Sequence, residues 1–219
     1  MRKKLERFAE NAMRANVIEP GKPLFETIKG KWNEVHFKNS NPITIELACG
    51  RGEYTVGLAQ HSNASNFIGI DLKGDRIWKG SGQAIEQGLD HVAFLRSNIH
   101  DLLNFFKPNE VAEIWLTFPD PRPRGRDERR RLTFPRFLEM YKIILKPEGW
   151  FRFKTDNTDL FDYTLEVLAE RNDIKDLEYT KDLYESPLNA EHFGIKTKYE
   201  QKFYEAGERI KYLKFRFIK

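Results

Sequence analysis

A single cysteine, Cys49, stands in a chain of 219 residues. One thiol can build neither an internal disulfide nor a cysteine-based zinc cluster, so stapled secreted scaffolds are excluded and a reducing compartment is the expected setting. Long apolar runs are also missing: no stretch approaches the roughly 18 residues that a membrane span needs. The basic start Arg2-Lys3-Lys4-Leu5-Glu6-Arg7 is followed by no apolar segment of the kind a secretory leader carries. The expectation is therefore a protein neither secreted nor membrane-inserted, located in the cytoplasm. The five histidines (His36, His61, His91, His100, His192) are scattered. No catalytic histidine and no metal are expected.

What is present is a globular composition, 40% hydrophobic, 13% aromatic and 32% charged, enough for one large domain with a sizeable core. Thirty-seven Lys and Arg against thirty-three Asp and Glu leave a net charge of only +4, so distribution matters more than total. Arg122, Arg124, Arg126, Arg129, Arg130 and Arg131 crowd ten positions, opposed only by Asp127 and Glu128, while Pro121, Pro123 and Gly125 keep the front half from being helical. Lysine and glutamate would serve solubility as well. Clustered arginines suit bidentate phosphate contacts instead.

Short apolar runs alternate with helical stretches, the pattern of parallel strands joined by crossover helices. Strands are predicted at Ile43–Leu47, Phe67–Asp71, Val92–Arg96, Ile114–Phe118 and Trp150–Lys154, with helices at Glu53–Gln60, Asp75–Gln87, His100–Phe106, Phe134–Leu145 and Asp159–Arg171. Gly80 and Gly82 weaken the second helix. Two further runs, Leu177–Tyr184 and Ile210–Ile218, are separated by a polar connection and read as an antiparallel pair, since Leu213, Phe215 and Phe217 alternate with Lys214 and Arg216. The expected fold is α/β and Rossmann-like: a seven-stranded, mostly parallel sheet closed by a C-terminal antiparallel pair. Residues 1–40 read as a peripheral basic segment, an amphipathic helix (Leu5, Phe8, Ala9, Ala12) and a linker around Pro20–Pro23. Residues 41–219 form the single domain.

Ligands in such sheets sit beyond the carboxyl ends of the strands. The first strand leaves through Glu46-Leu47-Ala48-Cys49-Gly50-Arg51-Gly52-Glu53, where Gly50 and Gly52 permit a tight turn and close approach to a ligand. The spacing is not the dinucleotide G-x-G-x-x-G. Asp71 ends the second strand, about twenty residues on, placed to accept from both hydroxyls of a ribose. Glu46 and Glu53 flank the loop, which suits a ligand with a sulfonium and an ammonium better than a pyrophosphate. S-adenosylmethionine follows as cofactor, rather than NAD. Asn98 leaves the third strand, positioned to pair with an adenine edge or to cap the helix near His100.

The fourth strand leaves through Pro119-Asp120-Pro121-Arg122-Pro123-Arg124. Prolines on both sides of Asp120 fix the backbone so that its carboxylate projects from the strand tip. A carboxylate beside a cationic loop suits a site that grips a purine edge while holding a phosphate backbone. Asp156 follows the fifth strand as a pocket residue or a helix cap. Asp120, Asp156 and Glu200 are expected to converge on one pocket, where carboxylates accept the N1–H and N2–H₂ donors of guanine.

In these residues the chain resembles the bacterial tRNA (guanine-N7-)-methyltransferases, within the class I S-adenosylmethionine-dependent methyltransferases. The resemblance runs from about Ile43 to the C-terminus. It rests on Glu46 to Gly52, on Phe118-Pro119-Asp120-Pro121 followed by Arg129-Arg130-Arg131-Leu132, on Thr155-Asp156, and on Thr197-Lys198-Tyr199-Glu200. It implies methyl transfer from S-adenosylmethionine to N7 of the variable-loop guanine of tRNA, with Glu46, Gly50, Gly52, Asp71, Asn98 and Asp120 at the cofactor. It also implies that Arg124, Asp156, Thr197, Lys198, Tyr199 and Glu200 contact the target nucleotide. Three departures from the family pattern stand out. Ala48 replaces the usual first glycine, at little cost if its φ is negative; Asn98 stands where an acid is common; Arg122 and Arg124 stand where Trp or His, and Lys, are frequent.

Because N7 carries an available lone pair, attack on a sulfonium methyl needs no prior removal of a proton. Alignment is expected to do the catalytic work, with Asp120 closest to the chemistry. Arg126, Arg129, Arg130 and Arg131, with Arg2, Lys3, Lys4 and Arg7, are expected to supply sequence-independent affinity for the RNA backbone. Two other readings are a class I methyltransferase acting on a small molecule or protein, and a non-catalytic RNA-binding protein with a methyltransferase-like fold. An enzyme methylating N6 of adenine or N4 of cytosine would want an Asn/Asp-Pro-Pro-aromatic box, which Phe118 to Arg122 does not supply. Monomer and homodimer are both compatible with the sequence.

Overall fold

The computed structural model describes residues 2–219, the Arg2 side chain excepted. Among these residues eight strands form one sheet: β1 (Val17–Ile18), β2 (Ile43–Leu47), β3 (Asn66–Asp71), β4 (Val92–Arg96), β5 (Val111–Thr117), β6 (Leu145–Thr155), β7 (Ile174–Thr180) and β8 (Lys211–Phe217), in the order β1-β4-β3-β2-β5-β6-β8-β7. From β1 to β6 neighbours are parallel, and β8 runs antiparallel to both β6 and β7. The strand order reverses at β2 and β5, the switch point at which open α/β sheets bind ligands. The central strands are buried throughout, as strands covered on both faces must be: all five residues of β2 and all six of β3 are buried.

Helices cover both faces. One layer holds α2 (Glu53–His61) and α3 (Gly74–Glu86), with α1 (Arg2–Met13) docked on α3; the other holds α4 (Leu102–Phe105), α5 (Pro135–Ile144) and α6 (Thr158–Ala169). The helix–strand alternation is as expected, with ends moved by a few residues. Two additions come from the N-terminal segment. Val17 and Ile18 pair with Phe94 and Leu95, making the eighth strand at the sheet edge. A π-helical turn, Trp32–Phe37, places Trp32 fully inside the core, its Nε1 donating to Phe105 O at 2.9 Å and its ring stacked on Phe106. Residues 17–37 are thus built into the domain instead of lying on its periphery. The apolar side chains of Val17, Ile18, Ile28 and Trp32 are all buried in the domain.

Gly80 does not weaken α3 at a cost without return. A Cβ there would lie 2.7 Å from Arg51 O and as close to the Phe94 ring, so glycine is what allows α3 to approach the loop after β2. A last helix, α7 (Lys198–Glu205), lies where a polar connection was expected.

Candidate active site

The loop after β2 carries three departures from ordinary backbone: Ala48 at φ +57°, Gly50 at +56° and Gly52 at +70°. The mild case expected for Ala48, a negative φ, does not hold; the tight turn out of the buried strand forces alanine into the left-handed region. The two glycines serve different ends. A Cβ on Gly50 would meet nothing nearer than Ala48 O at 4.0 Å, whereas one on Gly52 would lie 2.5 Å from the Phe94 ring. The side of Gly50 is therefore open, whereas Gly52 is required for packing of the loop against the domain.

Below the loop, Glu46 is buried. Its Oε2 accepts from Thr55 N at 2.8 Å and from the Thr55 hydroxyl, and its Oε1 accepts from Thr117 Oγ1 at 2.6 Å. Burial raises its carboxyl to about 7 against these hydrogen bonds. Glu46 thus ties β2, β5 and the start of α2 beneath the loop. It sits within the strand, one residue short of the tip.

Two cleft regions open beyond the carboxyl ends of the parallel strands. One, about 290 Å³, is lined by Ala48 after β2, Asp71 and Leu72 at the end of β3, Ser97 to His100 after β4, and Asp120 after β5. Asp71 Oδ2 accepts from Gly50 N at 2.9 Å and its Oδ1 from Lys73 N at 2.8 Å, so the acid and the glycine loop hold each other. Asn98 lines the cleft while its side chain accepts from His100 N at 3.1 Å as a cap. The other region, about 540 Å³, is lined by Asp120, Arg122, Pro123, Arg124, Arg126, Asp127 and Arg130. Asp120, Arg122 and Arg130 belong to both, which makes the acid at the tip of β5 the joint between an acidic and a cationic compartment. Asp120 accepts from Arg122 N at 3.2 Å and pairs with the Arg122 guanidinium at 3.3 Å. Phe118 (φ +48°) and Arg122 (φ +49°) are both left-handed. Such strain is retained where the surroundings over-determine it.

Within the arginine run, Gly125–Arg130 forms a 3₁₀ turn. Arg124, Arg126 and Arg129 are exposed, and Arg130 pairs with Asp127 at 3.1 Å. Arg131 is half-buried: its Nε donates to Arg122 O at 3.3 Å and its guanidinium lies 4.3 Å from the Tyr163 ring centre, so it also braces the loop. At the N-terminus Lys3 and Lys4 are exposed, and Arg7 covers the Trp78 ring. The contact expected of Arg2 lies outside the described side chains.

Against Phe118, just after β5, stands the Thr197–Glu200 segment. Thr197 caps α7 by accepting from Glu200 N at 3.0 Å. Tyr199 is half-exposed, packs on Phe118 with ring centroids 5.5 Å apart, and donates its hydroxyl to Asp156 at 3.2 Å. Asp156 is not the cap of α6, since Asn157 holds that place through Leu160 N. Asp156 and Tyr199 are therefore together, one strand over from Asp120. Glu200 does not reach open space. Both it and Lys154 are fully buried, paired at 2.7 Å, with Tyr184 donating to the same Oε1. A carboxylate one helical step beyond Tyr199 points into the domain.

Sequence reasoning missed Leu72, Ile99, His100 and Leu132 as cleft walls. Their signal is position alone: most follow a strand end by one to four residues. His100 is drawn below the usual histidine range by burial and by Arg136, and its ring packs on Phe137.

Sheet order and cleft position define a Rossmann-like methyltransferase. Solved structures agree on the fold: the 16S rRNA methyltransferase KamB superposes with a TM-score of 0.61 at 14% identity, covering 86% of this chain and 93% of that one. An antibiotic-related methyltransferase gives 0.59 at 18% identity, covering 81% and 88%. The family model for putative methyltransferases matches residues 40–213. Sequence relatives fix the family. The tRNA (guanine-N(7)-)-methyltransferase of Cytophaga hutchinsonii is 50% identical over 99% of this chain and 98% of its own length. Proteins of the same name from Christiangramia forsetii and Halalkalibacterium halodurans are 44% identical (97% of each chain) and 38% identical (84% and 81%). The chain belongs to the tRNA (guanine-N7-)-methyltransferase family.

Proposed function

We propose that the chain transfers a methyl group from S-adenosylmethionine to N7 of a guanine in the variable loop of tRNA. The observation that carries this reading is the shared Asp120: one acid joins a cleft lined by Asp71 and Asn98 to a trough lined by arginines. The residues present fit the donor. Asp71 stands where a ribose diol is accepted, and the space open above Gly50 admits a ligand against the backbone. When bound, S-adenosylmethionine supplies an electrophilic methyl on a cationic sulfur.

This chain's residues do the rest. Asp71 and Asn98 hold the nucleoside end, and Glu46 fixes the loop from below. Asp120 holds donor and base in register, since it belongs to both compartments. Asp156 and Tyr199 orient the guanine, Thr197 and Lys198 shape the acceptor side, and Glu200 anchors that side through Lys154. Arg124, Arg126, Arg129 and Arg130 hold backbone phosphates. No side chain removes a proton before attack, because the N7 lone pair is free; the residues supply orientation, worth many orders of magnitude in effective concentration.

The test is incubation of unmodified tRNA with labelled S-adenosylmethionine, followed by nucleoside analysis. Label in 7-methylguanosine from the variable loop is the expected result. Label on another atom, or transfer that needs no RNA, overturns the reading.

A further inference from the structure

Helix α2 begins at the donor-side loop and is gripped along one face by the chain that leads into α7. Three contacts mark that grip. Lys198 N donates to Glu53 Oε2 at 2.7 Å. Gly57 meets Ile195 so closely that a Cβ there would lie 2.7 Å from Ile195 Cγ2. His61 stacks on Phe193 with ring centroids 4.2 Å apart. Positions four apart share a helix face, so Glu53, Gly57 and His61 form one stripe, and the segment 193–198 runs along it in the opposite direction.

Glu53 occupies the end of the stripe nearest the cleft. It directly follows Gly52 and is the first residue of α2, while Lys198 is the first residue of α7. An amide at that position has no partner within its own helix, and a carboxylate placed there also meets the positive end of the helix dipole. Thr197 satisfies the amide of Glu200, and Glu53, from 145 residues away in sequence, satisfies that of Lys198. The second oxygen of Glu53 lies 3.5 Å from Lys79 of α3. Glu53 lines neither compartment of the cleft. Its contacts join the start of α2 to the start of α7 and to α3.

We propose that Glu53 is a positioning residue that couples the two sides of the site: it locks the Thr197–Glu200 segment in register with the loop Ala48–Gly52, so that filling one side strengthens binding at the other. The proposal rests on the methyl-transfer reading above. It separates two substitutions that a purely structural role would not. Glu53→Gln keeps an acceptor oxygen for the Lys198 amide, and Glu53→Ala keeps none.

The experiment measures the dissociation constant of S-adenosylhomocysteine by calorimetry with and without saturating unmodified tRNA. The ratio of the two is the coupling, and for the wild type it is expected to be about fivefold or more, at the lower end of typical couplings. Glu53→Ala is expected to bring the ratio below about twofold, while Glu53→Gln keeps most of it. A wild-type ratio of one, an undiminished ratio in Glu53→Ala, or equal loss in both variants overturns the proposal. Should Glu53→Ala fail to fold, Glu53→Met keeps the length of the side chain without an acceptor and is expected to lose the coupling; an intact ratio there overturns it as well. Labelled transfer to tRNA by the wild type is run alongside. Absence of transfer strikes the reading of the site, whereas transfer with an unaltered ratio in the variants strikes this proposal alone.

Discussion

Ala48 holds a left-handed backbone at φ +57°, a conformation that costs a non-glycine residue about 1–2 kcal/mol. Ala48→Gly relieves that strain, less the entropy glycine loses on folding, so a gain of about 1 kcal/mol is expected, or about 2–4 °C in thermal midpoint by calorimetry. Glu46 makes a second prediction. Burial raises its carboxyl from 4.5 to about 7, so the folded chain keeps a proton there that the unfolded chain has released. That contribution to stability is complete below the unfolded value and is lost as pH rises towards the folded one. Glu46→Gln, which retains hydrogen bonding to Thr55 and Thr117, is expected to gain on the wild type in thermal midpoint between about pH 5 and pH 8; a constant gap between the two proteins would contradict this. Asp120 is largely exposed and its ion pair is with Arg122. Asp120→Ala is therefore expected to leave the thermal midpoint in place while turnover falls by about a hundredfold or more, in keeping with a disturbed alignment. Asp71, Asn98 and Asp120 were legible in sequence because each ends or follows a strand, where topology dictates a cleft. The hydrogen bonds by which Glu46 ties β2, β5 and α2 together were not legible, because a residue inside a strand points to one face of the sheet and spacing alone does not say which.

The buried pair Lys154–Glu200 joins two elements, the end of β6 and the first turn of α7. Desolvation is the largest influence on Lys154 and draws its amine below the usual lysine range, with Glu200 opposing. Removing one partner of such a pair leaves an uncompensated charge, so Lys154→Ala is expected to cost about 3–5 kcal/mol in chemical denaturation, while the double replacement Lys154→Met with Glu200→Gln recovers most of it. The same pair explains why α7 escaped sequence reasoning. Its one buried residue is a glutamate, so the position that faces the core is not marked by an apolar side chain. β1 escaped for a different reason: two residues carry no periodicity. The parallel strands were legible because both faces are covered, and their apolar character is nearly continuous.

Across the whole molecule Arg126, Arg129, Lys3 and Lys4 are exposed, and under the proposed function they supply the electrostatic surface for RNA. Affinity for tRNA is expected to fall steeply with salt. The double variant Arg126→Ala with Arg129→Ala is expected to flatten the slope of log affinity against log salt by about 1.5–2, close to one counterion for each phosphate no longer neutralised; an unchanged slope removes these residues from the interface. Arg131, which donates to Arg122 O and lies over the Tyr163 ring, also braces the loop. The edge strand β1 has a consequence for biosynthesis. Its pairing partner β4 is made much later, so the N-terminal helix and its strand leave the ribosome with nowhere to dock and join the sheet only when Phe94 and Leu95 have emerged. Non-local closure of this kind is slow. The segment that carries α1 and β1 thus becomes native only after its partners α3 and β4 have been made.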